Sequence, residues 1–224
     1  MKAFTKEEKQ ERIAKNVAAL INEDPFYTYV NLGVGIPTLV ANYITRDDVY
    51  ILAENGMLGV GPVTSQENAH PDLINAGRQP VLETAGCCFM DSAMAFGMIR
   101  GGHIDATVLG AFEVDQHGDV ANWIIPGGKQ LGVGGAMDLV SGARRVIIAM
   151  THTSKTGPKL IRECTLPLTA KNKVDYVVTE YGVFAFQNGQ ITLIKLAPEI
   201  SLEEIREITG LEYRVSDKLR PMVV

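Results

Sequence analysis

Residues 27–56 read YTYVNLGVGIPTLVANYITRDDVYILAENG. A β-rich run, residues 27–32, stops at Gly33-Val34-Gly35-Ile36-Pro37. Residues 38–44 have helical character, and Pro37 suits a first-turn position because it has no N–H to lose there. A second apolar strand, residues 49–53, ends in Glu54-Asn55-Gly56. Strand, glycine-rich turn, helix, strand is the grammar of a parallel α/β sheet.

The same grammar extends in both directions. Upstream, Thr5 and Glu8 make a capping box. Ile13, Val17, Leu20 and Ile21 then recur at helical spacing until Asp24-Pro25 ends the helix. Downstream, the pattern predicts a strand over 80–83, then a helix capped by Asp91 or Ser92 and closed after Ile99 by Gly101-Gly102. Strands over 106–109, 121–125 and 145–150 follow, with a turn at 116–119 and a loop at 126–129. Beyond a strand at 174–179 the style changes. Residues 183–186 and 191–196 flank Asn188-Gly189, a strong hairpin signal. Ser201 and Glu204 form a second capping box, whose helix closes at Gly210. The last dozen residues read as a tail, docked or mobile. The expectation is a single α/β domain over 1–224, with an open, mostly parallel sheet flanked by helices and a more antiparallel C-terminal part.

The 224 residues are 46% hydrophobic and 21% charged, ordinary globular proportions. A net charge of −5 repels a phosphate backbone on average, so nucleic acid is a poor partner. Arg78, Arg144 and Arg145 are the local anion candidates, the last two reading as solvated surface. Three cysteines, Cys87, Cys88 and Cys164, do not make a disulfide framework and suggest a reducing compartment. The adjacent pair reads as part of a buried turn or strand. Cysteines and histidines show no metal spacing, so no metal is expected. The N-terminus has no signal-peptide pattern. No apolar run approaches the roughly 18 residues that a membrane span needs. The expected location is cytoplasmic.

Glu54 follows an apolar strand, and ligands of open α/β sheets bind outside the carboxyl ends of strands. The bland alternative is an exposed turn carboxylate. Leu-Gly-Val-Gly occurs at 32–35, 58–61 and 131–134, marking tight bends or close approaches. None completes a dinucleotide fingerprint, which fails at Thr38, Thr64 and Met137, and no Walker lysine follows. Such loops can still offer backbone N–H groups to a thioester oxygen or a phosphate. No nucleophile elbow is present. His70, His103, His117 and His152 read as surface or turn residues, and Glu83, Glu113, Lys155 and Glu180 as structural.

Three motifs in order carry a resemblance: Asn31-Leu32-Gly33-Val34-Gly35-Ile36-Pro37, Glu54-Asn55-Gly56-Met57-Leu58-Gly59, and Gly134-Gly135-Ala136-Met137-Asp138-Leu139-Val140. The chain resembles family I CoA-transferases, most closely the B subunit of the two-subunit 3-oxoacid and acetate (butyrate)–acetoacetate type, from Ile13 to about Pro221. The resemblance implies that Glu54 is the catalytic glutamate, with acyl-CoA as substrate and no permanently bound cofactor. It places Asn31, Gly33, Gly35, Asn55 and Gly56 around the substrate, with Gly134, Gly135 and Ala136 near the CoA thiol or acyl oxygen. Relatives often carry serine where this chain has Ala53, and lysine where it has Arg78, a contact for a CoA phosphate or an acid carboxylate. The resemblance further implies a separate A subunit, commonly in an A2B2 tetramer, and short-chain acids, with acetate, butyrate and acetoacetate ahead of succinate. An acyl-CoA hydrolase subunit, or a sugar-phosphate isomerase or binding module on the same fold, are the alternatives.

Overall fold

The computed structural model describes residues 4–128 and 132–224. Lys129 of the predicted loop and Leu131, which opens the third Leu-Gly-Val-Gly, lie outside the described residues. The chain runs through α1 (Lys6–Glu23), β1 (Tyr29–Leu32), α2 (Ile36–Leu39), β2 (Tyr50–Ala53), β3 (Met57–Val63), β4 (Val81–Phe89), α3 (Ser92–Arg100) and β5 (Ala106–Leu109). It continues through β6 (Glu113–Asp115), β7 (Val120–Ala121), α4 (Ala136–Gly142), β8 (Val146–Ala149), β9 (Thr153–Ser154), β10 (Gly157–Pro158) and β11 (Leu160–Ile161). It finishes with β12 (Tyr176–Val178), β13 (Gly182–Gln187), β14 (Gln190–Leu196), α5 (Leu202–Glu207) and β15 (Arg214–Pro221).

Ten strands form one sheet in the order β15-β14-β13-β12-β8-β5-β1-β2-β3-β4. The five from β12 to β2 are mutually parallel. Antiparallel strands extend the sheet on either side, and β15 closes one edge parallel to β14. From β1 the chain adds β2 on one side and later β5 on the other, so a switch point opens between β1 and β5.

β5 and β8 are buried at every position, as expected of parallel strands covered on both faces. α1 carries both halves of its capping box, and its Ile13, Val17 and Ile21 are fully buried. The helix lies against β8 and β12.

Several expectations are revised. Residues 57–63, read as a glycine turn, are β3, and Glu54-Asn55-Gly56 is the tight link of a β2–β3 hairpin pairing Ala53 with Met57. Glycines at 59 and 61 had hidden the alternation of that strand. β4 runs on to Phe89, with Cys87 half-buried and Cys88 exposed. The helix expected over 38–44 begins at Ile36 and tightens to a 3-10 turn over Val40–Tyr43. The strand expected over 121–125 contracts to Val120–Ala121. The last helix stops at Glu207, and the tail is docked as edge strand β15. His152, read as a surface residue, is fully buried, its ring nitrogens 3.0 Å from Thr179 Oγ1 and 2.9 Å from Thr209 Oγ1. Arg144 and Arg145 are ion-paired to Asp105 and Asp175 at 3.1 and 3.2 Å.

Candidate active site

A cleft of about 720 Å³ opens over the carboxyl ends of the parallel strands, at the β1–β5 switch point. Gly33, Gly35, Glu54, Arg78, Gly134, Gly135 and Ala136 line it. Residues from five separate stretches of sequence therefore meet in one place.

Glu54 is half-buried, one residue beyond β2. Its carboxylate is held by Asn31, whose side chain is fully buried on the neighbouring strand β1. The Asn31 Nδ2 donates to Glu54 Oε2 at 3.2 Å and to Leu52 O at 3.1 Å. Its Oδ1 accepts from Thr107 Oγ1 at 2.9 Å. The sheet register sets this chain up, because Asn31 stands opposite Leu52 on one side and Thr107 on the other. With both ends of the amide used, Asn31 has one orientation, and its N–H faces the carboxylate. Leaving its buried oxygen unpaired would cost about 1–3 kcal/mol, so Thr107 fixes the direction of the whole relay.

Two glycines shape the surroundings. Gly56 has φ +127°, and a Cβ there would lie 2.1 Å from Met90 O, so no other residue fits the turn. Met90 N–H donates to Gly56 O at 2.9 Å, tying the hairpin link to the end of β4. A Cβ at Gly135 would lie 3.0 Å from Phe96 Cζ and 3.7 Å from Glu54 Cγ. The start of α4 thus closes over the glutamate because residue 135 has no side chain. Ala136 opens that helix, its N–H donating to Val133 O at 3.1 Å.

Asn55 and Gly56 do not line the cleft: Asn55 is exposed and reaches Ile74 O at 3.4 Å, while Gly56 is buried beneath Met90. Arg78 is exposed on the rim, in a turn where it takes φ +61°. Glu113 secures a loop, accepting from Thr165 and Leu166 amides at 2.7 and 3.0 Å. Glu180 is fully buried, accepts the His152 N–H at 2.7 Å and pairs with Lys9 at 3.1 Å. Glu83 is exposed on β4.

Sequence reasoning missed three residues. Thr107 carries the one side-chain hydroxyl of an apolar strand, a signal that was present. Phe96 and Lys159 sit in stretches with no such mark. Lys159 lines the cleft, and burial pushes its amine down to about 8.

The arrangement presents a positioned carboxylate in a cleft walled by backbone, suited to attack an electrophilic carbonyl. The model of the coenzyme A transferase family matches residues 10–207. Acetate CoA-transferase subunit beta of Escherichia coli (strain K12) is 47% identical over 212 residues, covering 94% of this chain and 95% of that protein. The mitochondrial succinyl-CoA:3-ketoacid coenzyme A transferase 2A of Rattus norvegicus is 46% identical over 96% of this chain, which spans 41% of the longer protein. Among solved structures, an acyl-CoA transferase of Escherichia coli O157:H7 superposes with a TM-score of 0.75 at 22% identity, covering all of this chain and 45% of that one. That last likeness speaks for the fold.

Proposed function

The chain belongs to the coenzyme A transferase family, and we propose that within it Glu54 is the nucleophile of a ping-pong transfer of CoA between carboxylic acids. The observation that carries this reading is the Glu54 carboxylate, aimed into the cleft by the buried Asn31 amide.

The carboxylate attacks the thioester carbonyl of an acyl-CoA. The C–S bond breaks, CoA leaves as thiolate, and an acyl–glutamyl anhydride remains. The thiolate then attacks the glutamyl carbonyl, which releases the first acid and leaves a glutamyl–CoA thioester. A second acid reverses both steps. The energy of the thioester is conserved throughout, so the exchange proceeds without ATP. A carboxylate is a weak nucleophile in water, and its work depends on fixed position and partial removal from solvent. The hydrogen bond from a buried amide supplies the first, and the wall formed by Gly134, Gly135 and Ala136 contributes to the second. Gly33 and Gly35 let the acyl group approach along the β1 side. Arg78, exposed on the rim, is suited to a CoA phosphate.

The whole of residues 1–224 acts as one functional domain, cytoplasmic, and paired with an A subunit in an A2B2 assembly that completes the site. Relatives named as one subunit of two support a partner. So do the exposed apolar side chains Val63, Leu82, Phe89 and Met94, on and beside the ribbon that carries Glu54. The acids are short-chain. Initial rates of the co-expressed complex test the reading: parallel double-reciprocal lines are expected. Intersecting lines would replace the covalent route by a ternary complex, and CoA release without an acceptor acid would make the protein a hydrolase.

A further inference from the structure

Lys159 is a cation that the transfer chemistry leaves unused. It sits between β10 and β11 with its backbone clamped twice, its N–H donating to His152 O at 3.1 Å and its C=O accepting from Val114 N–H at 2.9 Å. It lines the same cleft as Glu54. Among the described residues its ammonium has no hydrogen-bond or ion-pair partner. The nearest opposing charge acting on it is Glu180, whose own ion pair is with Lys9 at 3.1 Å. Taking a charge out of water without a partner is costly, and an anionic ligand would offset that cost.

Its place along the cleft suggests which anion. The cleft runs across the ends of β2, β1, β5 and β8, with Glu54 following β2 and Met150 and Thr151 following β8. Adjacent strands lie about 4.8 Å apart, so those two ends are separated by roughly 14 Å. The Lys159 backbone is tied to the β8 end through His152. An acyl group bonded at Glu54 and extending along this row meets Lys159 at its far end.

We propose that Lys159 is a specificity-determining residue that pairs with the distal carboxylate of a dicarboxylic acyl group, whose thioester carbonyl lies at Glu54. The inference rests on Glu54 as nucleophile. It reverses, for this subsite, the sequence-based preference for acetate and butyrate over succinate, since a monocarboxylic acyl group leaves the lysine unpaired.

The test uses the complex with its A subunit, succinyl-CoA and acetyl-CoA as alternative donors, and acetoacetate as acceptor. Lys159→Met is expected to lower the ratio of kcat/KM for succinyl-CoA over acetyl-CoA by about 10- to 100-fold, the worth of one charge-assisted hydrogen bond, mainly through KM. Lys159→Arg should restore most of the ratio. In the wild-type complex, succinate should protect Lys159 from an amine-reactive label better than equimolar acetate, read by peptide mass, which needs no variant to fold. An unchanged ratio, an equal loss with both donors, or equal protection by the two acids overturns the proposal while leaving Glu54 in place. A wild-type complex that moves CoA from neither donor removes the Glu54 reading, and Lys159 with it.

Discussion

The ribbon β2–β3–β4 and the hairpin β13–β14 are both antiparallel extensions of one sheet, built by opposite rules. The hairpin turns on Asn188-Gly189, and Val183, Phe184, Ile191 and Leu193 sink into the main core. The ribbon encloses a separate small core of Ala53, Met57, Val60 and Val81. Gly56, Gly59 and Gly86 along it have positive φ, and most of β4 is exposed. The hairpin is shaped by burial. The ribbon is shaped by backbone geometry that sets Glu54 at the edge of a cleft and leaves an apolar face uncovered.

This contrast can be broken at several points. The largest effect is expected at Glu54: Glu54→Gln keeps shape but removes the nucleophile, and kcat of the complex should fall by about 10⁴- to 10⁶-fold with the melting temperature nearly unchanged. A loss under 10-fold would place the chemistry elsewhere.

Next come two substitutions of similar cost in stability. Leu193→Ala, in the hairpin, should cost about 2–5 kcal/mol by denaturant titration, with turnover per folded complex retained. Gly56→Ala, in the ribbon, should cost about 2–4 kcal/mol because its Cβ meets Met90 O, and turnover should fall as Glu54 shifts. If the two variants lose turnover equally, the functional division between the regions is wrong.

Thr107→Val sharpens the comparison inside the parallel core. It frees the Asn31 amide to rotate and should lower kcat by about 10- to 100-fold, while Thr107→Ser, which keeps the hydroxyl, recovers most of it. A value unchanged in Thr107→Val would show that Asn31 needs no orienting partner.

The smallest effect is one of pH, and it belongs to the C-terminal side. Burial pushes the His152 imidazole down to about 3 from 6.5. The unfolded chain then binds a proton that the folded chain refuses. His152 therefore contributes stability that is present above 6.5 and lost as pH falls from 6.5 towards 3. The slope is at most about 1.4 kcal/mol per pH unit. His152→Gln should flatten urea midpoints across that window, and an unaltered slope would assign the acid sensitivity to other groups.

The same contrast explains what the sequence reveals. Where burial decides the structure, the apolar pattern marks it: α1 with Thr5 and Glu8, the strands β5 and β8, and the hairpin at Asn188-Gly189 are all legible. Where backbone decides it, the pattern is silent. Gly59 and Gly61 break the alternation of β3, so a strand reads as a loop, and β4 reads as half its length. Glu54 and its glycines were legible through motif order and strand position. Thr107 and Lys159 were not, because nothing in linear order places β5 beside Asn31 or brings residue 159 to the cleft. The buried His152 was misread for a similar reason, since Thr179 and Thr209, which satisfy it, are distant in sequence.

The central claim is that Glu54 becomes covalently joined to CoA. The direct test is peptide mass analysis of the complex after treatment with acyl-CoA and then borohydride, which reduces a glutamyl thioester to an alcohol. A loss of mass confined to residue 54, absent without acyl-CoA, is the predicted result. An unmodified Glu54 in a complex that turns over acyl-CoA would contradict the account.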